Sequence, residues 1–260
     1  MTSMDPAAGR PVVTVVQHDD DVPLDQFAGW LDGLELRVVR AWAGQAVPTD
    51  PDLVGDGLIV LGGQMDAYAD DVAPWLSATR ALLAAAAGAG VPTLGICLGA
   101  QLLAVAGGGR VQVAAPAGRE AGITEIRWHD AAAGDPVLGT LAAAGRRTPM
   151  PSMHADAVVE LPPGADWLAS SERYPYQAFR LGSAWGVQFH PEASAALLRA
   201  WAREHDDLDA AAVGGDYAAR EPEISTAGRA IAEGFAAVVH ARAQRTNPRE
   251  RSPDETFHPR

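Results

Sequence analysis

The sequence predicts an α/β fold in which a mixed, mainly parallel sheet carries helices on both faces. Two observations predict it. Short β-rich runs at residues 12–17, 35–41, 57–61 and 92–96 alternate with segments of helical character, the pattern of strands joined by crossover helices. One of these runs also turns abruptly into an Ala/Leu-rich helix across Gly95-Ile96-Cys97-Leu98-Gly99. The clearest helix covers residues 74–87, where Trp75, Leu76, Leu82 and Leu83 are spaced to form a buried stripe. Beyond Gly109 the pattern changes to runs at 111–113, 123–128, 157–161, 167–170 and 177–180, which read as smaller, partly antiparallel strands joined by turns. Ligands of such sheets bind beyond the carboxyl ends of the strands, so the loops after Gln17, Leu61, Ile96 and Phe189 are expected to gather at one site.

A chain of 260 residues can bury a substantial core, and residues 1–205 read as one domain. Residues 195–205 are expected to be helical, residues 206–223 to form an irregular acidic connection, and residues 225–243 to form a packing helix capped by Ser225. Residues 244–260, rich in Arg, Pro and polar side chains, read as a disordered tail.

Cys97 is the only cysteine in the chain, and it occupies the sharp strand-to-helix turn. Gly95 and Gly99 flank it two residues to either side, giving the G-x-nucleophile-x-G elbow with sulfur in place of oxygen. A β-carbon at either glycine would obstruct the close approach of strand and helix that such a turn needs. The position at the start of a helix favours a thiolate over a thiol. A second segment, Ala184 to Glu192, reads as a buried strand ending in a His190-Pro191-Glu192 corner. Histidine can take a thiol proton and return one to a leaving group, while a carboxylate orients the ring and stabilises its charged form. The inferred catalytic set is Cys97, His190 and Glu192.

Composition narrows the classes. A formal net charge of −13 disfavours a nucleic-acid or anionic-membrane surface, and a small-molecule substrate fits better. No apolar run approaches membrane-spanning length, the first eleven residues lack the basic and apolar regions of a secretory signal, and one cysteine cannot form an internal disulfide. These features point to the cytoplasm. All 20 basic residues are arginine, which excludes a pyridoxal-phosphate Schiff base and a lysine-dependent phosphate loop.

The run Leu94 to Ala104, together with Gln188-Phe189-His190-Pro191-Glu192, resembles the class I glutamine amidotransferases, the glutaminases that release ammonia from glutamine. Val16-Gln17-His18-Asp19, Leu61 to Tyr68, Gly107 to Val111, Glu120-Ala121-Gly122 and Ser152 to Asp156 are similar to the glutaminase domain of GMP synthetase and its stand-alone relatives. The similarity covers roughly residues 10–205, with Ala100 standing where GMP synthetase often carries histidine. The resemblance implies a flavodoxin-like sheet. It implies an oxyanion hole from the backbone N–H groups of Gly63 and Leu98, and glutamine contacts at Gly62 and Gln101. It implies no metal and no organic cofactor.

Other constellations are weaker. His18-Asp19-Asp20-Asp21 reads as a solvated turn or helix start rather than a metal site, and His154 with Asp156 as a wall of the site. Gly107-Gly108-Gly109 lacks dinucleotide-loop spacing and is expected to end the helix that follows Cys97. No Ser-Gly-Gly-x-Asp-Ser segment of an ATP pyrophosphatase occurs, so a bifunctional synthetase is not expected. Three readings stay open. In the first the chain donates ammonia to a separate synthase subunit. In the second it is a stand-alone hydrolase of γ-glutamyl amides or peptides. In the third it is a non-enzymatic binding or regulatory module, which the intact Cys-His-Glu set disfavours.

Overall fold

The computed structural model describes residues 9–246. β1 (Val12–Gln17), a single helical turn α1 (Phe27–Trp30) and β2 (Glu35–Arg40) form the first crossover, with Val12 parallel to Glu35 across the ladder. β3 (Gly57–Val60), α2 (Trp75–Gly88) and β4 (Thr93–Ile96) form the next, and α3 (Leu98–Ala106) leaves β4 after the single residue Cys97. Every residue of β3 and β4 is buried, as expected of parallel strands covered on both faces. Successive side chains point to opposite sides. Leu58 and Val60 pack with Leu76, Leu82 and Leu83 of α2 and Leu102 and Leu103 of α3, whereas Ile59, Leu94 and Ile96 pack on the other side with Phe27, Ile231 and Phe235. Trp75 is only half-buried: its ring packs against the same cluster as Leu76, Leu82 and Leu83, while its indole N–H donates to His18 Nδ1 (3.0 Å). α3 ends at Gly107 as expected, with Gly108 N–H on Val105 O and Gly109 N–H on Ala104 O.

The second half of the chain adds β5 (Arg110–Gln112), β6 (Glu120–Trp128), α4 (Gly139–Ala144), β7 (Arg147–His154), β8 (Ala157–Glu160), β9 (Asp166–Ser170), β10 (Ala178–Leu181) and β11 (Ala184–Val187). The main sheet runs β2-β1-β3-β4-β11-β10-β9-β6-β7, and β5 pairs separately with β8. Its first five strands are parallel in the flavodoxin-like order, with β11 in the fifth position, and the last four join antiparallel. β7 escaped the sequence reading because it contains Pro149 and Pro151. It is tolerated as an edge strand, and the carbonyl of Pro151 accepts from His190 N–H (2.8 Å).

α5 (Ala195–Arg203) is capped by Ser194 as a short amphipathic helix. The expected irregular connection over 206–223 holds only for residues 206–209 and is overturned beyond them: α6 (Ala210–Thr246) is continuous through Pro222 and also takes in residues 244–246 of the expected tail. Its start is set by Asp209, whose Oδ1 accepts from Ala211 N–H (2.9 Å) and Ala212 N–H (3.1 Å), not by Ser225. Tertiary contacts outweigh the weak helical signal of Gly214, Gly215 and Pro222: Tyr217, Ile224, Ile231, Phe235 and Val239 are all buried. At Gly228 a β-carbon would stand 2.3 Å from the Pro191 carbonyl, so glycine is what lets α6 lie against the His-Pro-Glu corner. The remaining part of the tail, residues 247–260, lies outside the described residues. Among the described residues no helix is long and apolar enough to cross a membrane.

Candidate active site

Cys97 sits between β4 and α3 with φ 50° and ψ −107°, a left-handed backbone conformation that is costly for a residue with a side chain. The surroundings hold it there. Its N–H donates to Val187 O (2.8 Å) of the neighbouring strand, and its own carbonyl accepts from Gln101 N–H (3.0 Å). A β-carbon on Gly99 would fall 2.0 Å from the Val60 carbonyl oxygen, and one on Gly95 2.5 Å from the Gly99 carbonyl oxygen. Both glycines are therefore demanded by close packing of the elbow.

β11 delivers His190 and Glu192 beside this elbow. His190 Nδ1 lies 2.7 Å from Glu192 Oε1, and both side chains are buried. The Trp201 ring packs over the imidazole at 4.6 Å. Burial alone would depress the imidazole pKa. The charges of Glu192 and Cys97, with hydrogen bonds to both, outweigh that effect and raise it to about 10. The second carboxylate oxygen of Glu192 is buried without a protein partner.

A cavity of about 250 Å³ opens on Cys97 and His190, and Gly63, Leu98 and Gln101 line it as well. Neither the Gly63 nor the Leu98 N–H donates to a protein acceptor among the described residues, and both residues line the same cavity as Cys97. Gln101 Nε2 donates to Asp156 O (3.1 Å) and to Gln188 Oε1 (3.2 Å), while Gln188 Nε2 approaches Cys97 Sγ at 3.5 Å. Gly62 does not line the cavity. It lies behind the reactive pair, where a β-carbon would come within 3.0 Å of His190 Cε1 and 3.6 Å of Cys97 Cβ. Glu192 is likewise set back behind His190 rather than facing the cavity.

His154 and Asp156 do form a wall. His154 Nδ1 meets Asp156 O (3.0 Å) and Nε2 meets Glu120 Oε2 (3.1 Å), and Glu120 also accepts from Ser171 and Gln177 side chains. Burial raises the Asp156 carboxyl pKa, opposed by the Ala114 N–H that it accepts (2.8 Å) and reinforced by the charge of Asp66. His18 departs from the expected solvated turn. It is fully buried under the Gly63 loop, and burial lowers its pKa to about 4, while Asp19 makes the turn by accepting from Asp21 N–H (3.0 Å). Sequence reasoning missed Gln188, Trp201 and the Glu120 network as parts of this site. Gln188, a polar residue in the Ala184 to Glu192 strand, and Glu120, in the Glu120-Ala121-Gly122 stretch of the resemblance, carried the signal by which they could have been found.

A thiol, an imidazole and a carboxylate aligned in this way can carry out nucleophilic acyl transfer. The family model of the glutamine amidotransferase class-I domain matches residues 33–200. A glutamine-hydrolysing GMP synthase of Thermomicrobium roseum is 37% identical over 200 residues, covering 74% of this chain but only 35% of that protein. A relative from Halobacterium salinarum, named as one subunit of a glutamine-hydrolysing GMP synthase, is 33% identical over 174 residues, covering 63% of this chain and 84% of that protein. The chain thus spans about a third of the first relative and most of the second. A glutamine amidotransferase from Thermotoga maritima superposes with a TM-score of 0.77 at 23% identity, covering 88% of this chain and 99% of that one, a likeness of fold. With nearly two thirds of its length matched by the family model and its elbow and corner intact, the chain belongs to the class I glutamine amidotransferase family.

Proposed function

We propose that this protein hydrolyses the side-chain amide of glutamine and supplies the ammonia to an acceptor on a separate synthase subunit. The observation that carries this reading is the strained Cys97 elbow placed in one cavity with His190, itself backed by Glu192. Cys97 Sγ attacks the carboxamide carbon, and the carbonyl oxygen becomes an oxyanion held by the N–H groups of Gly63 and Leu98. His190 donates a proton to the departing nitrogen, and the C–N bond breaks to give ammonia and a γ-glutamyl thioester on Cys97. Water then attacks the thioester carbon and loses its proton to His190. The C–S bond breaks, glutamate leaves, and the thiolate and imidazolium are restored. Glu192 holds the ring and stabilises its charge throughout. Gln101 contacts the substrate from the first turn of α3, and Gly62 keeps the imidazole in place by offering no side chain.

None of these steps uses a metal or an organic cofactor. The catalytic unit ends near residue 205, and α6 is an added helix packed on it. The donor reading draws on the Halobacterium salinarum relative, whose name makes it one part of a multi-chain glutamine-hydrolysing synthase. The cytoplasm is the compartment in which a free thiol and such a partner fit best.

A glutamine-like diazo-ketone tests the nucleophile. Intact mass should show one adduct, and peptide mapping should place it on Cys97; absence of label under conditions that inactivate a known glutaminase would sink the assignment. Comparing glutamine with γ-glutamyl dipeptides, alone and in cell extract, tests the donor role. A donor turns glutamine over feebly until its partner is present, so strong dipeptide turnover unchanged by extract would replace it with the independent hydrolase.

A further inference from the structure

Away from the active-site cavity, at the end of the sheet where β6 stops, β7 starts and β9 stops, lies a second cleft of about 350 Å³ lined by Arg127, Trp128, His129, Arg146, Arg147 and Ser170. The sheet register explains how these residues meet. Arg127 stands opposite Arg147 on β7 and opposite Ser170 on β9, so the three form a row across adjacent strands on one face, and His129 follows Arg127 two residues on. Two like charges directly opposite each other in an antiparallel pair are destabilising. None of the three arginines makes an ion pair or hydrogen bond through its side chain among the described residues, although Asp and Glu outnumber Lys and Arg by 33 to 20 in the chain. The carboxylate nearest in the strand, Glu125, is taken by Arg220 of α6. His129 Nε2 is buried and has no partner, and its ring is held at 4.2 Å from Trp167, an indole that stays 41% exposed.

The geometry points to this cleft as a binding site for a phosphate or pyrophosphate group, held by Arg127, Arg146 and Arg147 with Ser170 completing the contacts. Guanidinium groups match phosphate oxygens in pairs, and a cleft lined by a single sign of charge concentrates the opposite ion. A bound dianion would also quiet the Arg127–Arg147 repulsion, which accounts for a row of cations that otherwise only weakens the ladder. The group arrives either as a free anion or on a nucleotide, whose base could stack on Trp167.

Calorimetric titration of the full chain with sodium pyrophosphate and, separately, with ADP tests the site. Saturable binding that weakens with added salt is expected for at least one of them. Arg127→Gln with Arg147→Gln should weaken it by about tenfold or more, since each removes a charge-assisted contact. Both positions are exposed, so the double variant should fold, keep its glutaminase rate and, without anion, melt slightly higher than the parent. Arg146→Gln gives an independent reading on the same cleft. ADP binding more tightly than pyrophosphate, with the difference lost in Trp167→Ala, assigns a nucleotide; equal or weaker ADP binding assigns the free anion. Absence of saturable binding of either probe, or affinities unchanged in both arginine variants, overturns the proposal.

Discussion

Glu192→Gln isolates what the carboxylate does for the imidazole. At the 2.7 Å separation of Glu192 Oε1 and His190 Nδ1, an effective dielectric of about 20 gives an attraction of roughly 6 kcal/mol between opposite unit charges. That equals somewhat more than four decades in proton affinity, at about 1.36 kcal/mol per decade. Burial opposes it, and the balance leaves His190 at about 10 rather than 6.5. Glutamine keeps the shape and can still accept the Nδ1 hydrogen, but it removes the charge while burial stays. The His190 pKa should therefore drop well below the parent's value, with the charge and hydrogen bond of Cys97 left as the contributions that still raise it. Turnover should fall by tens- to a thousand-fold, because the ring is still positioned while its cationic form is less stabilised. The new amide N–H₂ would occupy one of the carboxylate positions, and the Oε2 site has no acceptor near it, so a modest loss of stability of about 1–3 kcal/mol accompanies the change. The assay is an NMR titration of the His190 ring in both proteins, alongside steady-state turnover and the rate of Cys97 alkylation at pH 7. Equal ring titrations with near-parental turnover would refute the ion-pair argument.

Cys97→Ser should abolish nearly all turnover and all diazo-ketone labelling, measured by ammonia release and intact mass, because an alkoxide is much harder to form at neutral pH. His190→Ala should be close to inactive in the same assay, whereas a triad with no catalytic role predicts near-parental rates. Because the folded-state pKa of His190 lies above its unfolded value, its ion pair contributes stability in full below about pH 6.5 and loses it as pH rises through about 10. Thermal unfolding should thus fall more steeply between pH 7 and 10 in the parent than in His190→Ala. Gly228→Ala and Gly215→Ala should move the melting temperature in opposite directions, although both add one methyl to α6. The first places a β-carbon 2.3 Å from the Pro191 carbonyl and should cost about 1–3 kcal/mol along with activity; the second meets nothing within 4 Å and should gain about 0.5–1 kcal/mol.

The parts of the fold that were legible are those whose determinants are neighbours in the chain. The elbow needs only Gly95, Cys97 and Gly99, and the corner only His190, Pro191 and Glu192. Their glycines and proline announce backbone geometry directly. The parallel strands were legible for the same reason, since each is a short apolar run between helices. What escaped is decided by contacts between distant segments. β7 carries two prolines that argue against a strand until its place at the sheet edge is known. The first half of α6 contains a Gly-Gly pair and a proline. It is helical because Tyr217 and Ile224 are buried and the Tyr217 hydroxyl donates to Ala193 O (3.0 Å), none of which local propensity reports. The pairing of Arg127 with Arg147 exists only once the register is set.

This division also says where the candidate site is vulnerable. β4 and the turn into α3 place the sulfur largely by local chain geometry, braced by the Val187 carbonyl on the Cys97 N–H and the Val60 carbonyl against Gly99. The base is secured from further away. His190 N–H is held by Pro151 of the edge strand β7, its ring is covered by Trp201 of α5, and the Pro191 carbonyl beside it is packed against Gly228 of α6. A helix that looked like an appendage therefore forms the backing of the imidazole and carboxylate. Substitutions in α6 facing Pro191 should impair turnover while leaving the elbow intact, whereas those on its solvent side should change neither turnover nor the elbow.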